Sequence, residues 1–256
     1  MAVFQSLFNL FSPTKMEDTV DLENQSLVIE GDEGVRMHPL CTDGELIDLA
    51  KEYGVSTMCE SFQKGLTISE NENCLGSRNL KNDCYDWITY KEVNENAKCI
   101  GSAIMNEMGQ STVQDSIIGI YSINCPEWVT SDIACCYYSL TNCPLYDTLG
   151  DEALEYTINQ TEMQVVLVDT LAHANRLIDR SAKLPSIQHI VIFKATDEDC
   201  QELNKKSSIK TYTWQHALDQ GKQNILPLRV PSPENIATIS YTSGATGNPK
   251  GVVIKH

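Results

Sequence analysis

Residues 236–251 read IATISYTSGATGNPKG, an apolar run that turns into a loop of small hydroxylated residues and glycines and ends in a lysine. Glycines let backbone N–H groups turn towards an anion, threonine and serine hydroxyls add donors, and lysine supplies a mobile positive charge. The stretch therefore predicts a phosphate-binding loop and a nucleotide-using enzyme, with a Gly/Ser-rich surface hairpin as the structural alternative. The residues concerned are Tyr241, Thr242, Ser243, Gly244, Thr246, Gly247, Lys250 and Gly251.

The loop matches neither of the two commonest nucleotide-binding sequences. A Walker loop requires Gly-Lys-Ser/Thr, whereas two residues separate Gly247 from Lys250 and a glycine follows the lysine. The G-x-G-x-x-G sequence of dinucleotide-binding folds is absent as well. The pattern that is present, aromatic-Thr-Ser-Gly-x-Thr-Gly-x-Pro-Lys-Gly, closely resembles the ATP-phosphate loop of the adenylate-forming, or AMP-binding, superfamily.

One position departs from that resemblance. Ala245 stands where the superfamily usually carries a second serine or threonine between the two glycines, so one hydroxyl donor near the phosphates is lost. A hydrogen bond to a charged group contributes about 1.5–3 kcal/mol, and a neutral one about 0.5–1.5 kcal/mol. We therefore expect weaker handling of ATP rather than its loss.

A second resemblance, to the long-chain fatty acid:CoA ligase branch of the superfamily, lies upstream. Residues 144–150, PLYDTLG, are the most telling, because short-chain and aromatic-acid members usually carry a different sequence there. The resemblance extends over residues 85–256. The other stretches that carry it are Trp87–Val93, Ile117–Asn124, Pro126–Val129, Tyr138–Leu140 and Glu152–Asn159.

The resemblance implies a two-step reaction. A fatty acid carboxylate attacks the α-phosphate of ATP to give acyl-AMP and pyrophosphate, and the thiol of CoA then displaces AMP to give acyl-CoA. ATP, Mg²⁺, CoA and a long-chain fatty acid are thus the implied cofactor and substrates, and the loop would hold the β- and γ-phosphates. The implied binding residues are Thr242, Ser243, Gly244, Thr246, Gly247 and Lys250.

Other positions carry weaker expectations. His256 falls where family members often have a histidine near the acyl pocket. Tyr146, Asp147 and Thr148 are consistent with a turn as well as with direct catalysis. The aromatic residues Tyr121 and Trp128 fit a core or an interface better than ligand stacking.

The resemblance also suggests that the chain is the N-terminal part of a ligase. The lysine that the family uses in adenylation is expected beyond residue 256, so the catalytic residues are unknown and the C-terminal part of the ligase is an expected partner. Two alternatives stay open: a non-catalytic fragment that binds nucleotide weakly, and another adenylate-forming ligase that acts on an aromatic or amino acid.

Apolar runs alternate with helical spacing along the chain, which predicts an α/β fold with mostly parallel strands flanked by helices. This fold would be an incomplete N-terminal domain of the adenylate-forming type. We expect an N-terminal extension with helical and loop segments at 1–84 and a partial AMP-binding domain at 85–256. Strands are predicted at 117–122, 164–169, 188–193 and 236–241, helices at 90–108, 126–140, 150–160 and 171–182, and polar or proline-rich connections at 70–83, 196–210 and 226–235.

Composition excludes several classes of protein. The net charge of −16 argues against an electrostatic surface for nucleic acid. The ten cysteines include no C-x-x-C pair, which argues against a zinc site or a disulfide framework. Free thiols in turn predict a reducing, cytosolic compartment. Cys135 and Cys136 lie in an apolar run and are expected to be buried thiols.

The N-terminal segment Met1–Phe11 places apolar side chains at near-helical spacing. It is too short to cross a bilayer, which requires about 20 residues, and no basic region or cleavage site of a secretory signal accompanies it. An interfacial anchor is one interpretation and a frayed or core-docking segment is the other. The former predicts peripheral association on the cytoplasmic side of the endoplasmic reticulum or another intracellular membrane.

Overall fold

Residues 25–28, 34–39, 41, 48–109, 116–146, 148, 150–242 and 248–256 are described by a computed structural model. The chain divides into two units, Met1–Val55 and Ser56–His256. In the first unit, strands β1 (Leu27–Val28) and β2 (Arg36–Met37) pair antiparallel, and helix α1 spans Leu49–Tyr53.

The second unit alternates strands and helices. Its elements are α2 (Met58–Ser69), β3 (Asn73–Asn79), β4 (Cys84–Thr89), α3 (Tyr90–Asn106), β5 (Ile117–Tyr121), α4 (Pro126–Tyr137), β6 (Thr141–Leu145), α5 (Asp151–Thr161), β7 (Val165–Thr170), α6 (Leu171–Ile178), a short 3₁₀ turn (Ser181–Lys183), β8 (His189–Lys194), α7 (Asp197–Lys206), β9 (Lys210–Thr213), α8 (Trp214–Gln223), β10 (Ile236–Thr242) and β11 (Lys250–Lys255).

Seven strands form one sheet in the order β11-β10-β6-β5-β7-β8-β9. All neighbours pair parallel except β10 and β11, which form an antiparallel hairpin. The predicted α/β fold with mostly parallel strands is therefore confirmed. A separate antiparallel hairpin, β3–β4, lies outside this sheet.

Both faces of the central strands of the sheet are buried, whereas the edge strand β11 is exposed. Along β7, Val165 and Leu167 enter one core, whereas Val166 and Val168 enter a second core on the opposite face. The first core includes residues of α3 and α4, and the second includes residues of α5, α6 and α7. This two-sided burial explains why the central strands are uninterrupted apolar runs rather than alternating ones.

The chain changes direction across the sheet at β5. From β5 it passes to β6 on one side, and it then crosses to β7, β8 and β9 on the other side. The carboxyl ends of β5 and β7 thus flank a topological switch point, and the end of β10 emerges at the same edge because β10 is parallel to β6.

Two of the predicted connections are wrong. Residues 196–210 contain α7, which begins at a capping box formed by Thr196 and Asp199 but buries only Cys200 and Leu203. Residues 70–83 contain β3, most of which is exposed on the two-stranded hairpin. Neither element buries a periodic apolar face, so hydrophobic spacing did not reveal it.

The predicted helices are confirmed, although three of them are shorter, and the one predicted at 90–108 ends at Asn106. The helix predicted at 126–140 ends at Tyr137, and that predicted at 171–182 ends at Ile178. The compact unit begins at Ser56, upstream of the boundary expected between 84 and 85, because Cys59 of α2 is already part of the first core. The division at 84/85 stays a prediction.

The cysteines differ in their exposure. All ten are free thiols, and Cys135 and Cys136 are buried in α4, as expected. Burial raises the pKa of Cys59 to about 11 and raises that of Cys136 further. Cys84, on β4, is exposed. No helix among the described residues combines the length and the apolar content needed to cross a membrane.

Helix α8 packs against α3 through a glycine. A Cβ atom on Gly221 would lie 1.7 Å from the carbonyl oxygen of Cys99, so the two backbones approach more closely than any side chain allows. We expect Gly221→Ala to lower the free energy of unfolding by about 3 kcal/mol, because the helices must separate. Gly65→Ala in α2 is the matched control, since its Cβ would meet only the Tyr90 side chain at 3.2 Å.

The control is expected to be neutral or to stabilise the protein by up to about 1 kcal/mol, as alanine favours a helix over glycine. Urea denaturation of the wild type and the two variants measures both effects. Equal stability of Gly221→Ala and the wild type would contradict the close packing of α3 and α8.

Candidate functional site

The hairpin β10–β11 frames the predicted phosphate-binding loop. Thr242 and Lys250 form its last backbone pair, so the structure brings these two predicted residues together at the base of the loop. Ser243, Gly244, Ala245, Thr246 and Gly247 lie outside the described residues, and their assignment to phosphate binding stays a prediction. The loop leaves β10 at the carboxyl edge of the sheet, where open α/β folds bind their ligands.

Lys250 and Thr242 are both exposed at this edge. Among the described residues, the ammonium group of Lys250 has no carboxylate partner. The Thr242 hydroxyl donates only a long hydrogen bond, 3.5 Å, to the Lys250 carbonyl. A positive charge and a hydroxyl are therefore available to an anion at the base of the loop.

Tyr241 anchors the hairpin to the rest of the unit. Its ring is buried, and its hydroxyl donates to Oε1 of Gln160 in α5 at 2.7 Å. Burial raises the pKa of Tyr241, and the neighbouring Cys143 and Tyr156 add to the shift, so the phenol stays protonated and remains a donor. The aromatic residue at the start of the motif thus acts as an anchor for the strand.

Gly251 faces Tyr241 across the hairpin. A Cβ atom on Gly251 would lie 3.0 Å from Cγ2 of Ile239 and 3.2 Å from Cζ of Tyr241. The last glycine of the motif therefore lies in β11, where it makes room for the anchoring ring, and it is not part of the loop.

Tyr146 adds a second tie at the same edge. Its hydroxyl shares a hydrogen bond of 3.2 Å with the hydroxyl of Ser240, although its ring is half exposed. Thr148 lies in a turn, and Asp147 is outside the described residues. The structure thus ties Tyr146 to β10, and a catalytic role of Asp147 stays untested.

His256 lies at the opposite end of the hairpin from the loop. Its neighbour Lys255 pairs with Ile236, the first residue of β10. The backbone N–H of His256 donates to the carbonyl oxygen of Asn235. Both ring nitrogens are buried without a hydrogen-bond partner among the described residues, and burial lowers the pKa of His256. The structure therefore does not bring His256 to the phosphate-binding loop.

A polar cluster at the switch point was not singled out by the sequence analysis. Asp169 is buried at the end of β7, where it accepts from the backbone N–H of Ile123 and is 2.6 Å from Nδ1 of His173. The rings of His173 and Tyr121 stack with their centroids 4.0 Å apart. Tyr121 is fully buried, which confirms it as a core aromatic. The sequence signal that could have revealed this cluster is the i, i+4 spacing of Asp169 and His173 at the end of an apolar strand.

The side chain of Arg176 contacts this cluster. Arg176 donates to the hydroxyl of Tyr121 and, at 2.9 Å, to Asp151 at the start of α5. The hydrogen bond from Arg176 lowers the pKa of Asp151. The charges of the cluster are thus compensated within the fold, in contrast to that of Lys250.

Comparisons with known proteins agree with this geometry. Residues 71–256 match the family model described as AMP-binding enzyme. The chain belongs to the AMP-binding enzyme family. The match includes the whole seven-stranded sheet and the β10–β11 hairpin.

Similar proteins of this family are named fatty acid ligases. Long-chain-fatty-acid–CoA ligase 5 of Rattus norvegicus is 38% identical over 257 residues, which cover 100% of this chain and 37% of the relative. Long-chain-fatty-acid–CoA ligase 1 of Homo sapiens is 36% identical over 246 residues, 95% of this chain and 35% of the relative. The chain thus spans little more than a third of the length of these relatives.

A solved structure shows the same fold. The A-PCP didomain of the carboxylic acid reductase of Segniliparus rugosus, in complex with AMP, superposes with a TM-score of 0.68 at 16% identity. The superposition covers 80% of this chain and 32% of the reductase chain. It establishes the adenylate-forming fold of this AMP-binding unit.

The tight contact at Gly251 gives a prediction on stability. We expect Gly251→Ala to lower the free energy of unfolding by about 1–2 kcal/mol, because the added methyl must displace Ile239 or Tyr241. Without the contact, the same change would stabilise the protein by about 0.4–1 kcal/mol through the unfolded state. Val253→Ala, two residues along the same strand and 55% exposed, is the control and should change stability by less than about 0.5 kcal/mol.

Urea denaturation followed by circular dichroism measures the free energy of unfolding of the wild type, Gly251→Ala and Val253→Ala. Stabilisation by Gly251→Ala would show that the anchoring ring does not pack across this glycine.

Proposed function

We propose that the chain provides the phosphate-binding hairpin of a long-chain fatty acid:CoA ligase. In this reaction a fatty acid carboxylate attacks the α-phosphate of ATP, pyrophosphate leaves, and the CoA thiol then displaces AMP from the acyl-AMP. The observation that carries the proposal is the pairing of Thr242 with Lys250 at the carboxyl edge of the sheet. Relatives with this name align with nearly the whole chain.

Lys250 would act through its charge. Its ammonium is exposed and has no carboxylate partner among the described residues, so a polyphosphate meets no competing anion there. Placed beside the β- and γ-phosphates, the charge would stabilise pyrophosphate as it leaves. The Thr242 hydroxyl would donate to a phosphate oxygen in place of its long bond to the Lys250 carbonyl. From the sequence, Ser243, Gly244, Thr246 and Gly247 would supply further hydroxyl and backbone donors.

Mg²⁺ would belong to the nucleotide complex. No group of three or more acidic, histidine or cysteine residues within the described ranges is arranged to hold a metal alone. Mg²⁺ keeps several waters and binds mainly through substrate phosphates, so the ion would be carried by ATP. Mg²⁺ bound there would neutralise phosphate charge, and Thr242 is the described hydroxyl at the loop that could contact it.

Removal of the Lys250 charge tests the phosphate site. We expect Lys250→Ala to weaken binding of ATP with Mg²⁺ to the 256-residue chain at least tenfold, because a hydrogen bond to a charged group contributes about 1.5–3 kcal/mol. Binding of AMP should change less than twofold, since AMP lacks the β- and γ-phosphates. Lys255→Ala is the matched control, because Lys255 pairs with Glu234 at the far end of the hairpin.

Isothermal titration calorimetry with both nucleotides separates the outcomes. Equal loss of ATP and AMP, or no loss, would remove Lys250 from phosphate binding. Ala245→Thr should tighten ATP binding by about tenfold at most, through one added donor.

The reaction class needs a second measurement. Pyrophosphate release from ATP is compared with palmitate, with benzoate and without acid, and acyl-CoA formation is measured after addition of CoA. Release that depends on palmitate supports the ligase, and release that depends on benzoate supports another adenylate-forming activity. Binding of ATP without release is expected of the 256-residue chain by itself, because the adenylation lysine of the family is expected beyond residue 256. Binding without release after the C-terminal part of the ligase has been supplied supports the non-catalytic alternative.

We also propose that Met1–Phe11 mediates peripheral membrane association on the cytoplasmic side, for example at the endoplasmic reticulum. These residues lie outside the described part of the chain, and the proposal rests on their near-helical apolar spacing and on a substrate that partitions into membranes. Deletion of residues 1–11 should abolish flotation with zwitterionic vesicles that the full chain shows. Equal flotation of both proteins would assign any membrane binding to another surface.

A further inference from the structure

Two of the three tryptophans of the chain border one cavity. The cavity has a volume of about 250 Å³ and lies between the β3–β4 hairpin, α3, the first turn of α4 and the start of α8. Trp87 comes from the hairpin and Trp214 is the first residue of α8. The described residues of the β10–β11 hairpin do not contribute to the lining of this cavity.

Trp87 is held in place although half of it is exposed. Its ring lies across Gly76, where a Cβ atom would approach the indole to 2.9 Å, and it is tilted against the ring of Tyr85 at 5.7 Å. Tyr85 is also half exposed, so the two adjacent rings form an apolar patch on the surface of the hairpin. The indole is thus positioned before any ligand arrives.

Trp214 is fixed from the other side. Its ring packs edge-to-face against Phe193 at a centroid distance of 5.1 Å. Its helix begins at Thr213, whose hydroxyl accepts from the backbone N–H of His216. Both tryptophans therefore border the cavity from elements on which their rings are packed, which limits the ordering that a ligand would require.

The charge of the cavity is negative. Asp86 and Glu127 are among its lining residues, and no lysine, arginine or histidine is. Within the described ranges neither carboxylate takes part in an ion pair, and Asp86 accepts a hydrogen bond from Asn79 at 3.0 Å. Indole rings attract cations through the negative charge of their faces, so a cation is favoured over an anion in this cavity.

We propose that this cavity binds an organic cation of the quaternary ammonium class. Methyl groups on such a cation can contact Leu75 and Ile88 while its positive charge faces Trp87, Trp214 and the two carboxylates. A primary ammonium fits less well, because it is strongly hydrated and would need more hydrogen-bond acceptors. The group can come from a free solute or from a choline headgroup in a lipid surface.

Binding of choline to the full 256-residue chain tests the proposal. Choline and tetramethylammonium should change the intrinsic tryptophan fluorescence saturably. The neutral isostere of choline, 3,3-dimethyl-1-butanol, should bind at least tenfold more weakly than choline does. Sodium chloride at the same concentrations, which controls for ionic strength, should also have an at least tenfold weaker effect. Trp87→Leu should weaken choline binding about tenfold, and because Trp87 is half exposed, this variant is expected to fold as the wild type does.

Carboxylate variants test the charge. Glu127→Gln should weaken choline binding about threefold to tenfold, whereas Glu198→Gln should leave it unchanged. Glu198 is the matched control because it lies in the first turn of α7, as Glu127 lies in the first turn of α4, and does not border the cavity. Circular dichroism verifies the fold of each variant, and calorimetry measures choline binding where a tryptophan has been removed.

Vesicles distinguish the two sources of the cation. A part of the flotation that occurs with phosphatidylcholine but not with phosphatidylglycerol, and that is lost in Trp87→Leu and competed by tetramethylammonium, supports a lipid headgroup, because binding through Met1–Phe11 would not depend on Trp87. Binding of choline without such flotation supports a free solute. Equal binding of choline and its neutral isostere, or no effect of Trp87→Leu, would overturn the proposal. The Lys250→Ala variant should bind choline normally, so the fate of the phosphate site does not decide this result.

Discussion

Burial of the parallel sheet on both faces is the constraint on which the structure depends. Each strand between β5 and β8 must supply apolar side chains upwards and downwards, as Val165 and Val166 do, and helices must cover both faces. Helix α8 approaches the α3 backbone so closely that Gly221 has no room for a side chain. The ends of the strands, where the backbone leaves the sheet, are therefore available for polar side chains such as Asp169 and Thr242.

At the ends of the strands, some polar groups are paired within the fold and one charge is not. Around Asp169, every group has a partner close by: His173, the backbone of Ile123 and, through Tyr121, Arg176. At the β10–β11 hairpin, Tyr241 fixes the strand through Gln160, while the charge of Lys250 is left without a described partner. A rigid base with an uncompensated charge at its tip is suited to bind an anion that arrives from solution.

Local pattern explains what could be predicted from the sequence. The apolar run at 164–169 predicts a buried strand, which the structure has at Val165–Thr170. The residues between Thr242 and Lys250 have the composition of a phosphate loop, so both predictions follow from neighbouring residues. Helix α7 could not be found in this way, since it buries only Cys200 and Leu203. Strand β6 was missed because its Thr-Asn-Cys-Pro-Leu sequence includes a proline and an asparagine, which are depleted in strands. The bond from Tyr241 to Gln160 spans 81 residues, and no local signal reports such a distance.

The uneven exposure of the thiols has a consequence for chemical labelling. Reaction with an electrophile requires a thiolate that the reagent can reach, and burial both hides the sulfur of residues such as Cys59 and keeps it protonated. Cys84 is the exposed thiol, and it lies on the same strand as Trp87. A maleimide dye would therefore attach preferentially at this strand and report on the environment of the neighbouring indole without any engineered cysteine.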